Sequence, residues 1–289
     1  MRDMITGKTK LTGLLGSPVE HSISPAMHNE AFRLLGLDYA YLAFDVTEDT
    51  FLKVIDGLTA MGAAGWNCTM PLKRLMHQRV DILSDTALLT GSVNTVVNRD
   101  GVLYGDNTDG YGFMQSMSDA GLRPAGKRLA ILGSGGAAAA IIAQAALDGV
   151  YSIDIFSRPE STSTKLIEQE AELVRSKTAC LLNVYDLKDH AQLSKSLEQS
   201  YCLINASSVG MAPDTDACLI PDSSMLHPDL AVGDVIYNPR ETKLLHMAKE
   251  QGCMTFNGLY MLLYQGAMAF QRWTGRDMPV AKIREKFFQ

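Results

Sequence analysis

The chain has 289 residues, of which 46% are hydrophobic and 20% are charged, and its formal net charge at pH 7 is -6. This length is typical of two domains, and an acidic balance without a basic block argues against nucleic acid or a membrane surface as a partner. The five cysteines are scattered and form no Cys-x-x-Cys motif, which disfavours disulfides and a metal site and favours a reduced, cytoplasmic protein. Residues 1–10 lack the apolar core of a signal peptide, and no apolar run approaches the about 20 residues of a membrane span.

The first block of the chain alternates strand-like and helix-like segments. It opens with an apolar strand, Leu11 to Leu15, and a helix follows with Ser24 as its predicted N-cap and Pro25 as its first residue. Strands separated by helices need crossover connections, so the block predicts a mostly parallel sheet. Its other predicted elements are a strand at 39–46, a helix at 49–60, a short strand ending near Asn67, a helix opened by Pro71, and a hairpin from Val93 to Tyr104 turned at residues 98–101.

The second block follows a seam rich in turn residues, Gly121 to Gly126. Its strands are predicted at 128–132, 153–156, 201–205 and 231–237, with helical segments between them. This alternation is typical of a doubly wound, nucleotide-binding Rossmann domain, so the whole chain is predicted to be α/β with two domains. The last helices, from about Gly258 to Gln289, could complete either domain.

A glycine-rich segment joins the first strand of the second block to an alanine-rich helix. It reads Gly133-Ser134-Gly135-Gly136-Ala137-Ala138, the spacing of a dinucleotide-binding loop. The first glycine allows a tight turn, the second lets the backbone approach a pyrophosphate, and Ala138 lets helix and strand pack closely. The alternative is a packing turn in a sheet that binds nothing.

The end of the next strand bears on the choice between NAD and NADP. A carboxylate there binds the ribose 2′-hydroxyl of NAD, whereas arginines accept the 2′-phosphate of NADP. The segment Ser157-Arg158-Pro159-Glu160 contains one of each, so Arg158 could hold a phosphate or stack on adenine while Glu160 would repel a phosphate. A single arginine followed by a carboxylate favours NAD over NADP. Alternatively, Glu160 is simply part of a solvated charged loop.

Two hydroxyls stand at the start of the first predicted helix. Ser22 and Ser24 lie where free N–H groups and the helix dipole favour an anion, which suits a substrate carboxylate. Capping by Ser24 alone is the structural alternative, whereas Ser22 has no such structural reason.

A lysine occupies the start of another helix. If Pro71 is the first helical residue, Lys73 lies in the first turn, where the helix dipole should weaken its hold on a proton. Such a lysine suits acid–base chemistry on an alcohol near neutral pH, but one misplaced surface lysine is also common.

Amides and carboxylates at predicted strand ends suit a ligand with several hydroxyl groups. They occur in Gly91-Ser92-Val93-Asn94-Thr95 and in Asp106-Asn107-Thr108-Asp109-Gly110. Local turn formation is the alternative explanation for Asp106 and Asn107.

Taken together, these segments resemble the shikimate dehydrogenase family. The motifs that carry the resemblance run in order from Gly16 to Gln265 and cover almost the whole chain. They are Gly16 to Pro25 with Met27-His28-Asn29, Asn67 to Lys73, Asn94-Thr95, Asn107 to Gly110, Gly133 to Ala137, Asn205 to Met211, Tyr237-Asn238-Pro239 with Thr242, and Gly258 to Leu262 with Gln265. Cys68 stands where a small aliphatic residue is more usual.

The resemblance implies a substrate-binding domain at 1–120, completed by helices at 258–289, and a Rossmann NAD(P)-binding domain at 121–257. It implies that Lys73 and Asp109 form the catalytic acid–base pair. The residues implied to bind substrate are Ser22 and Ser24 at the carboxylate, Asn67, Thr69, Asn94, Asp109 and Gln265 at the ring hydroxyls, and Tyr237. The residues implied to bind cofactor are Gly133, Ser134, Gly135, Gly136, Ala137, Ser157, Arg158, Glu160, Ser207, Met211, Gly258 and Met261.

The segment after the second Rossmann strand departs from the family pattern. NADP-specific members usually carry Asn-Arg-Thr and a further basic residue there, whereas this chain has Ser157-Arg158-Pro159-Glu160 and is more similar to paralogues that accept NAD. The resemblance implies reversible hydride transfer between shikimate, or quinate, and its 3-dehydro ketone. Two alternatives stay open: an amino-substituted shikimate as substrate, and a ligand-binding regulator that has lost turnover. The oligomeric state also stays open, a homodimer included.

Overall fold

A computed structural model describes residues 5–289, which form two compact units. The first unit runs to Thr108 and includes Leu263–Gln289, while the second comprises Asp109–Leu262. Part of the polar segment at 1–10, in which no signal peptide was predicted, lies outside the described residues. None of the helices within 5–289 has both the length and the apolar character needed to cross a membrane.

The first unit is built on a six-stranded sheet among its described residues, with strand order β2-β1-β3-β5-β6-β4. β1 pairs in parallel with β2 and β3, whereas β5 pairs antiparallel with β3 and β6. The elements are β1 (Lys10–Gly16), α1 (Ser24–Leu35), β2 (Tyr39–Asp45), α2 (Phe51–Ala60), β3 (Gly65–Cys68), α3 (Lys73–Arg79), β4 (Ile82–Leu83), α4 (Asp85–Thr90), β5 (Thr95–Arg99) and β6 (Val102–Asp106).

The predicted hairpin is confirmed as β5 and β6. Its turn residues Asp100 and Gly101 have φ values of 52° and 89°. Positive φ at both central positions is the type I′ geometry that matches the twist of the flanking strands, which explains the Asp-Gly pair. The short β4 and α4 were not predicted, because two and six residues are too few to carry a periodic pattern.

Two predicted helix starts are wrong by one or two residues. α1 begins at Ser24 itself, and the Ser24 N–H donates to Ser22 Oγ at 3.2 Å, so Ser22 has a structural role that was assigned to Ser24. α3 begins at Lys73 rather than at Pro71. The reason is a turn, closed by the Leu72 N–H donating to the Thr69 carbonyl at 2.9 Å, that takes up Pro71 before the helix starts.

The second unit has a parallel sheet, which confirms the predicted doubly wound arrangement. Its strand order among the described residues is β12-β11-β10-β7-β8-β9. The elements are α5 (Asp109–Asp119), β7 (Arg128–Leu132), α6 (Gly136–Leu147), β8 (Ser152–Ser157), α7 (Thr162–Lys177), β9 (Leu181–Asp186), α8 (His190–Leu197), β10 (Cys202–Asn205), β11 (Ala231–Asp234), α9 (Lys243–Glu250) and β12 (Thr255–Phe256). The unpredicted β9 and β12 are edge strands, one with polar residues and one of two residues, so neither shows the apolar run of a central strand.

The units divide at Thr108 and Asp109, not at the predicted boundary of 120 and 121. α5 belongs to the second unit because it packs on α6, where a Cβ at Gly110 would lie 2.1 Å from the Ala140 carbonyl oxygen. At the other end, α10 (Leu259–Thr274) passes from the second unit into the first, and α11 (Val280–Phe287) follows in the first. The chain therefore changes units at the start of α5 and within α10 rather than at its glycine-rich seam.

His28 is fully buried in the first unit, inside a box of aromatic rings. Its imidazole stacks on Tyr41 with centroids 4.4 Å apart and lies 5.2 Å from Trp273, with Phe32 and Phe270 completing the box. Neither ring nitrogen has a hydrogen-bond partner. Burial therefore lowers the pKa of His28 from 6.5 to about 3, because the charged form is desolvated.

This burial predicts an acid-sensitive fold. The unfolded chain protonates His28 near 6.5 and the folded chain only near 3, so unfolding takes up a proton between these values. The free energy of unfolding should fall as the pH drops through that window. Denaturant titrations of wild type and His28→Phe, which keeps an aromatic ring but cannot titrate, should show the wild type losing stability relative to the variant as pH decreases. A difference independent of pH would contradict this.

Candidate active site

The buried hydroxyl of Tyr41 connects two of the predicted substrate clusters. It donates to Asn67 Oδ1 at 2.8 Å, and the Ser24 side chain is also hydrogen-bonded to it. Burial raises the pKa of Tyr41 well above its usual value, so the hydroxyl stays protonated and acts as a donor. Sequence reasoning missed Tyr41, since a tyrosine in an alternating strand carries no mark beyond its apolar ring.

Asn67 and Asn94 lie in one buried network of amides and hydroxyls. Asn67 Nδ2 donates to the Asn94 carbonyl at 3.1 Å and to Thr95 Oγ1 at 3.0 Å. Asn94 Oδ1 accepts from the Thr108 N–H and from Thr95 Oγ1, each at 2.9 Å. These bonds fix both amides in orientation, and they bring together two of the clusters that the sequence singled out. Thr95 and Thr108 belong to the same sequence motifs, but no role was predicted for them.

Lys73 is held at the start of α3 next to β3. Its carbonyl accepts the Val93 N–H at 2.9 Å, and the Thr69 N–H donates to the Leu15 carbonyl at the same distance. Cys68, which precedes Thr69, is buried, and burial raises its thiol pKa to about 12 against the opposing charge of Lys73. The thiol therefore stays protonated beside the half-buried lysine.

Asp106 and Asn107 are held mainly by tertiary hydrogen bonds rather than by the local turn that was their alternative explanation. Asp106 Oδ1 accepts from Ser84 Oγ at 2.6 Å and from Thr86 Oγ1 at 2.8 Å, while Oδ2 accepts from Arg272 Nε at 2.9 Å. Asn107 Nδ2 donates to Ser92 Oγ at 2.9 Å. These contacts fix the chain just before Asp109.

The remaining predicted substrate residues divide between the two units. Ser22, Thr69, Lys73 and Gln265 belong to the first unit, Gln265 on α10, whereas Asp109 at the start of α5 and Tyr237 belong to the second. The pairing of Lys73 with Asp109 therefore stays a prediction.

A cavity of about 900 Å³ opens at the carboxyl ends of the second unit's strands. This is the position at which open α/β sheets bind ligands, and the volume is in the usual range for ligand pockets. Most predicted cofactor residues line it, together with Tyr237: Gly133, Ser134, Gly135, Gly136, Ala137, Ser157, Arg158, Ser207 and Met211.

The glycine loop has the geometry that a dinucleotide pyrophosphate requires. Gly133 has a φ of 107°, and a Cβ there would lie 3.1 Å from the Ala206 carbonyl oxygen. Added Cβ atoms at Gly135 and Gly136 would meet nothing within 4 Å, so the backbone is open to the cavity at the first turn of α6. Free N–H groups at this helix start bind phosphate oxygens. The residues thus fit NAD or NADP.

A cluster of hydroxyls joins the glycine loop to the end of β8. Ser134 Oγ lies 2.9 Å from Ser163 Oγ, and Thr164 Oγ1 donates to Ser157 Oγ at 3.0 Å. Ser161 caps α7 by accepting the Thr164 N–H at 3.1 Å. Ser161 and Ser163 also line the cavity, and neither was predicted as a cofactor residue.

Three predicted cofactor residues lie outside the cavity lining. Glu160 is exposed, beside the lining residue Arg158. Gly258 packs on the end of β11, where a Cβ would lie 1.9 Å from the Val235 carbonyl oxygen, and the Met261 N–H donates to the Gly258 carbonyl at 3.1 Å. Close packing is thus sufficient reason for a glycine at 258.

Comparisons with known families agree with the resemblance seen in the sequence. Residues 14–96 match a family described as the shikimate dehydrogenase substrate binding domain, and residues 258–286 match the shikimate 5′-dehydrogenase C-terminal domain. A curated relative from Listeria monocytogenes serotype 4b, named shikimate dehydrogenase (NADP(+)), is 49% identical over 99% of this chain and 98% of its own.

Two solved structures extend the comparison to the fold. A crystal structure of shikimate 5-dehydrogenase from Listeria monocytogenes in complex with shikimate and NAD is 49% identical, with a TM-score of 0.95 over 99% of this chain and 98% of that one. Quinate dehydrogenase from Corynebacterium glutamicum in complex with NAD is 27% identical, with a TM-score of 0.85 over 97% and 99% of the two chains.

Proposed function

Because the chain belongs to the shikimate dehydrogenase family, we propose that it oxidises shikimate reversibly to its 3-dehydro ketone with a nicotinamide cofactor. The observation that carries this proposal is the 49% identity to a shikimate dehydrogenase along almost the whole chain. An open glycine loop at a ligand-sized cavity supports it independently. The bound dinucleotide would accept the hydride from the carbinol carbon.

The chain's own residues would bind the substrate and move its proton. In our proposal Lys73 takes the proton of the reacting hydroxyl, with Asp109 as its partner, and Ser22 and Ser24 bind the carboxylate. Thr69, Asn94 and Gln265 are the other proposed ligands of the ring hydroxyls.

The hydrogen-bond network determines whether Asn67 can donate to or accept from a substrate hydroxyl. Both hydrogens of its amide are donated, to the Asn94 carbonyl and to Thr95 Oγ1, and Oδ1 already accepts one bond from Tyr41. A carbonyl oxygen has two lone pairs, so Asn67 would act only as an acceptor for a substrate hydroxyl. A substrate with an ether or carbonyl oxygen in that place should bind poorly.

We further propose that NAD is preferred over NADP. Ser161 and Ser163 line the cavity and offer hydroxyls suited to a ribose diol, while Arg158 is followed by Glu160, which would repel a 2′-phosphate. A relative at 49% identity was crystallised with NAD, although curated relatives are named for NADP. Initial rates of nicotinamide reduction, with shikimate and quinate each offered to NAD and NADP, test both proposals. Activity with NADP alone would overturn the preference and leave the reaction standing, and inactivity in all four assays would overturn the reaction.

Removing the charge of Glu160 is not expected to reverse the preference for NAD. Because Glu160 is exposed and outside the cavity lining, it can act on a 2′-phosphate only by screened repulsion, on the order of 1 kcal/mol or less. Glu160→Gln should therefore lower KM for NADP by a few fold and leave KM for NAD unchanged. Glu168→Gln, an exposed site on α7, is the matched control. A rise in KM for NAD in Glu160→Gln would instead indicate direct ribose binding.

A further inference from the structure

A carboxylate is fully buried at the end of β11. Asp234 accepts hydrogen bonds from Asn205 Nδ2 at 3.1 Å to each oxygen, from the Ile236 N–H at 2.9 Å and from Thr242 Oγ1 at 2.8 Å. Burial is the largest influence on its pKa and raises it, while the hydrogen bonds oppose the rise. Removing a carboxylate from water is costly, so a group kept there is expected to have a function beyond packing.

One branch of this network reaches the wall of the cofactor cavity. Asn205 holds Asp234 with its amide nitrogen, and its oxygen accepts the Ser207 hydroxyl at 2.7 Å and the Ser207 N–H at 3.2 Å. Ser207 Oγ in turn accepts the Val209 N–H at 3.1 Å. Ser207 and Val209 both line the cavity. The conformation of this loop therefore depends on the orientation of the Asn205 amide.

The other branch fixes the segment that follows β11. The Ile236 N–H bound by Asp234 lies directly before Tyr237, which lines the cavity with its side chain half exposed. Thr242 packs behind the loop that carries Ser207 and Val209, since a Cβ at Gly210 would lie 3.6 Å from the Cβ of Thr242. The two segments are also joined by the Ala212 N–H, which donates to the Asn238 carbonyl at 3.2 Å. Asp234 thus connects both walls of one end of the cavity.

The sheet order identifies which end of the cofactor this is. In a doubly wound domain the adenosine ribose lies at the end of the second strand, here β8 with Arg158. β10 and β11 lie on the other side of β7, so their loops face the opposite half of the dinucleotide.

We propose that Asp234 is a positioning residue that sets the two loops around the nicotinamide half of the cofactor; this rests on the dehydrogenase function proposed above. It touches neither cofactor nor substrate and acts through Asn205, Ile236 and Thr242.

The test is Asp234→Asn, which keeps the shape and replaces one acceptor oxygen by a donor. Asn205 Nδ2 donates to both carboxylate oxygens in the wild type. In either orientation of the new amide, its nitrogen therefore faces Asn205 Nδ2. We expect KM for the nicotinamide cofactor to rise by about tenfold or more, since hydrogen bonds to charged groups are the strong ones. Binding of ADP, which reaches only the glycine loop and β8, should change by less than about twofold.

A milder pair of variants keeps the test valid if Asp234→Asn folds poorly. Thr242→Val removes at constant shape both the donor to Asp234 and the acceptor of the Leu245 N–H, and it should raise the cofactor KM by a few fold. Thr242→Ser keeps the hydroxyl and should match the wild type. A fall in melting temperature with unchanged cofactor KM in the folded variants would show a purely structural role and overturn the inference. An equal loss of ADP binding would also overturn it. A wild type without dehydrogenase activity would instead overturn the proposed function.

Discussion

Replacing Lys73 by alanine is expected to lower kcat for shikimate oxidation by about 10²–10⁴-fold, the usual contribution of a positioned general acid–base. Lys73 stands at the first residue of α3, with its backbone fixed to Val93 and with the buried Cys68 thiol nearby. The alcohol can transfer its hydride only as its proton leaves, so loss of the acceptor raises the barrier of the chemical step. KM for shikimate should change much less than kcat.

Companion variants separate proton transfer from charge and from packing. Lys73→Met keeps the length of the side chain without a proton-accepting group and should be as slow as alanine. Lys73→Arg keeps a cation that does not deprotonate in proteins, so it should also be slow. Lys53→Ala, at an exposed position on α2, controls for the loss of one charge. Near-normal turnover of Lys73→Met would exclude Lys73 as the acid–base group.

The features that could be predicted from sequence are those whose causes are local. The glycine loop is one: Gly133 needs a positive φ, and Gly135 and Gly136 need an open backbone at a helix start, all within four residues. The Asp100-Gly101 hairpin turn is another, since its two positive φ values depend only on the turn itself. Such features leave a short, recognisable pattern.

The features that could not be predicted depend on distant partners. Asp234 is buried because Asn205 and Thr242 satisfy it, and nothing adjacent in sequence marks that triad. Gly110 belongs to a predicted substrate motif, but a glycine is needed there because α5 packs closely on α6. The same contact moves the boundary between units away from the seam at 121–126 that local turn residues had indicated.

Replacing Trp273 by alanine is expected to reduce the free energy of unfolding by about 3–5 kcal/mol, as for other buried aromatic truncations. The indole lies in a slot over β3, and its Nε1–H donates to the Val96 carbonyl at 2.9 Å. Tyr39 also donates through its hydroxyl to the Trp273 carbonyl at 3.2 Å. Truncation would leave a cavity and remove a buried hydrogen bond, and both are destabilising.

The slot exists because position 65 is glycine. A Cβ at Gly65 would lie 2.5 Å from Trp273 Nε1 and 2.2 Å from the Val96 carbonyl oxygen, so Gly65→Ala should displace the indole without removing it. Trp273→Phe removes the hydrogen bond and part of the ring volume but keeps a buried aromatic ring, so it should lose less stability than alanine, about 1–3 kcal/mol. Denaturant unfolding followed by circular dichroism measures all three variants.

The same variants test whether the C-terminal helix positions substrate ligands. Gln265 lies on α10 about two turns before Trp273 and the predicted cofactor residue Met261 about one turn further away, so loosening the helix should raise KM for shikimate more than KM for the cofactor. Arg272 lies on the same helix as Trp273 and pairs with Asp106 at the end of β6. Arg272→Ala should have a smaller effect because its guanidinium is half exposed. If Trp273→Ala unfolded at the wild-type denaturant concentration, the slot would contribute nothing to stability. If its shikimate KM were unchanged as well, α10 would hold Gln265 by other contacts.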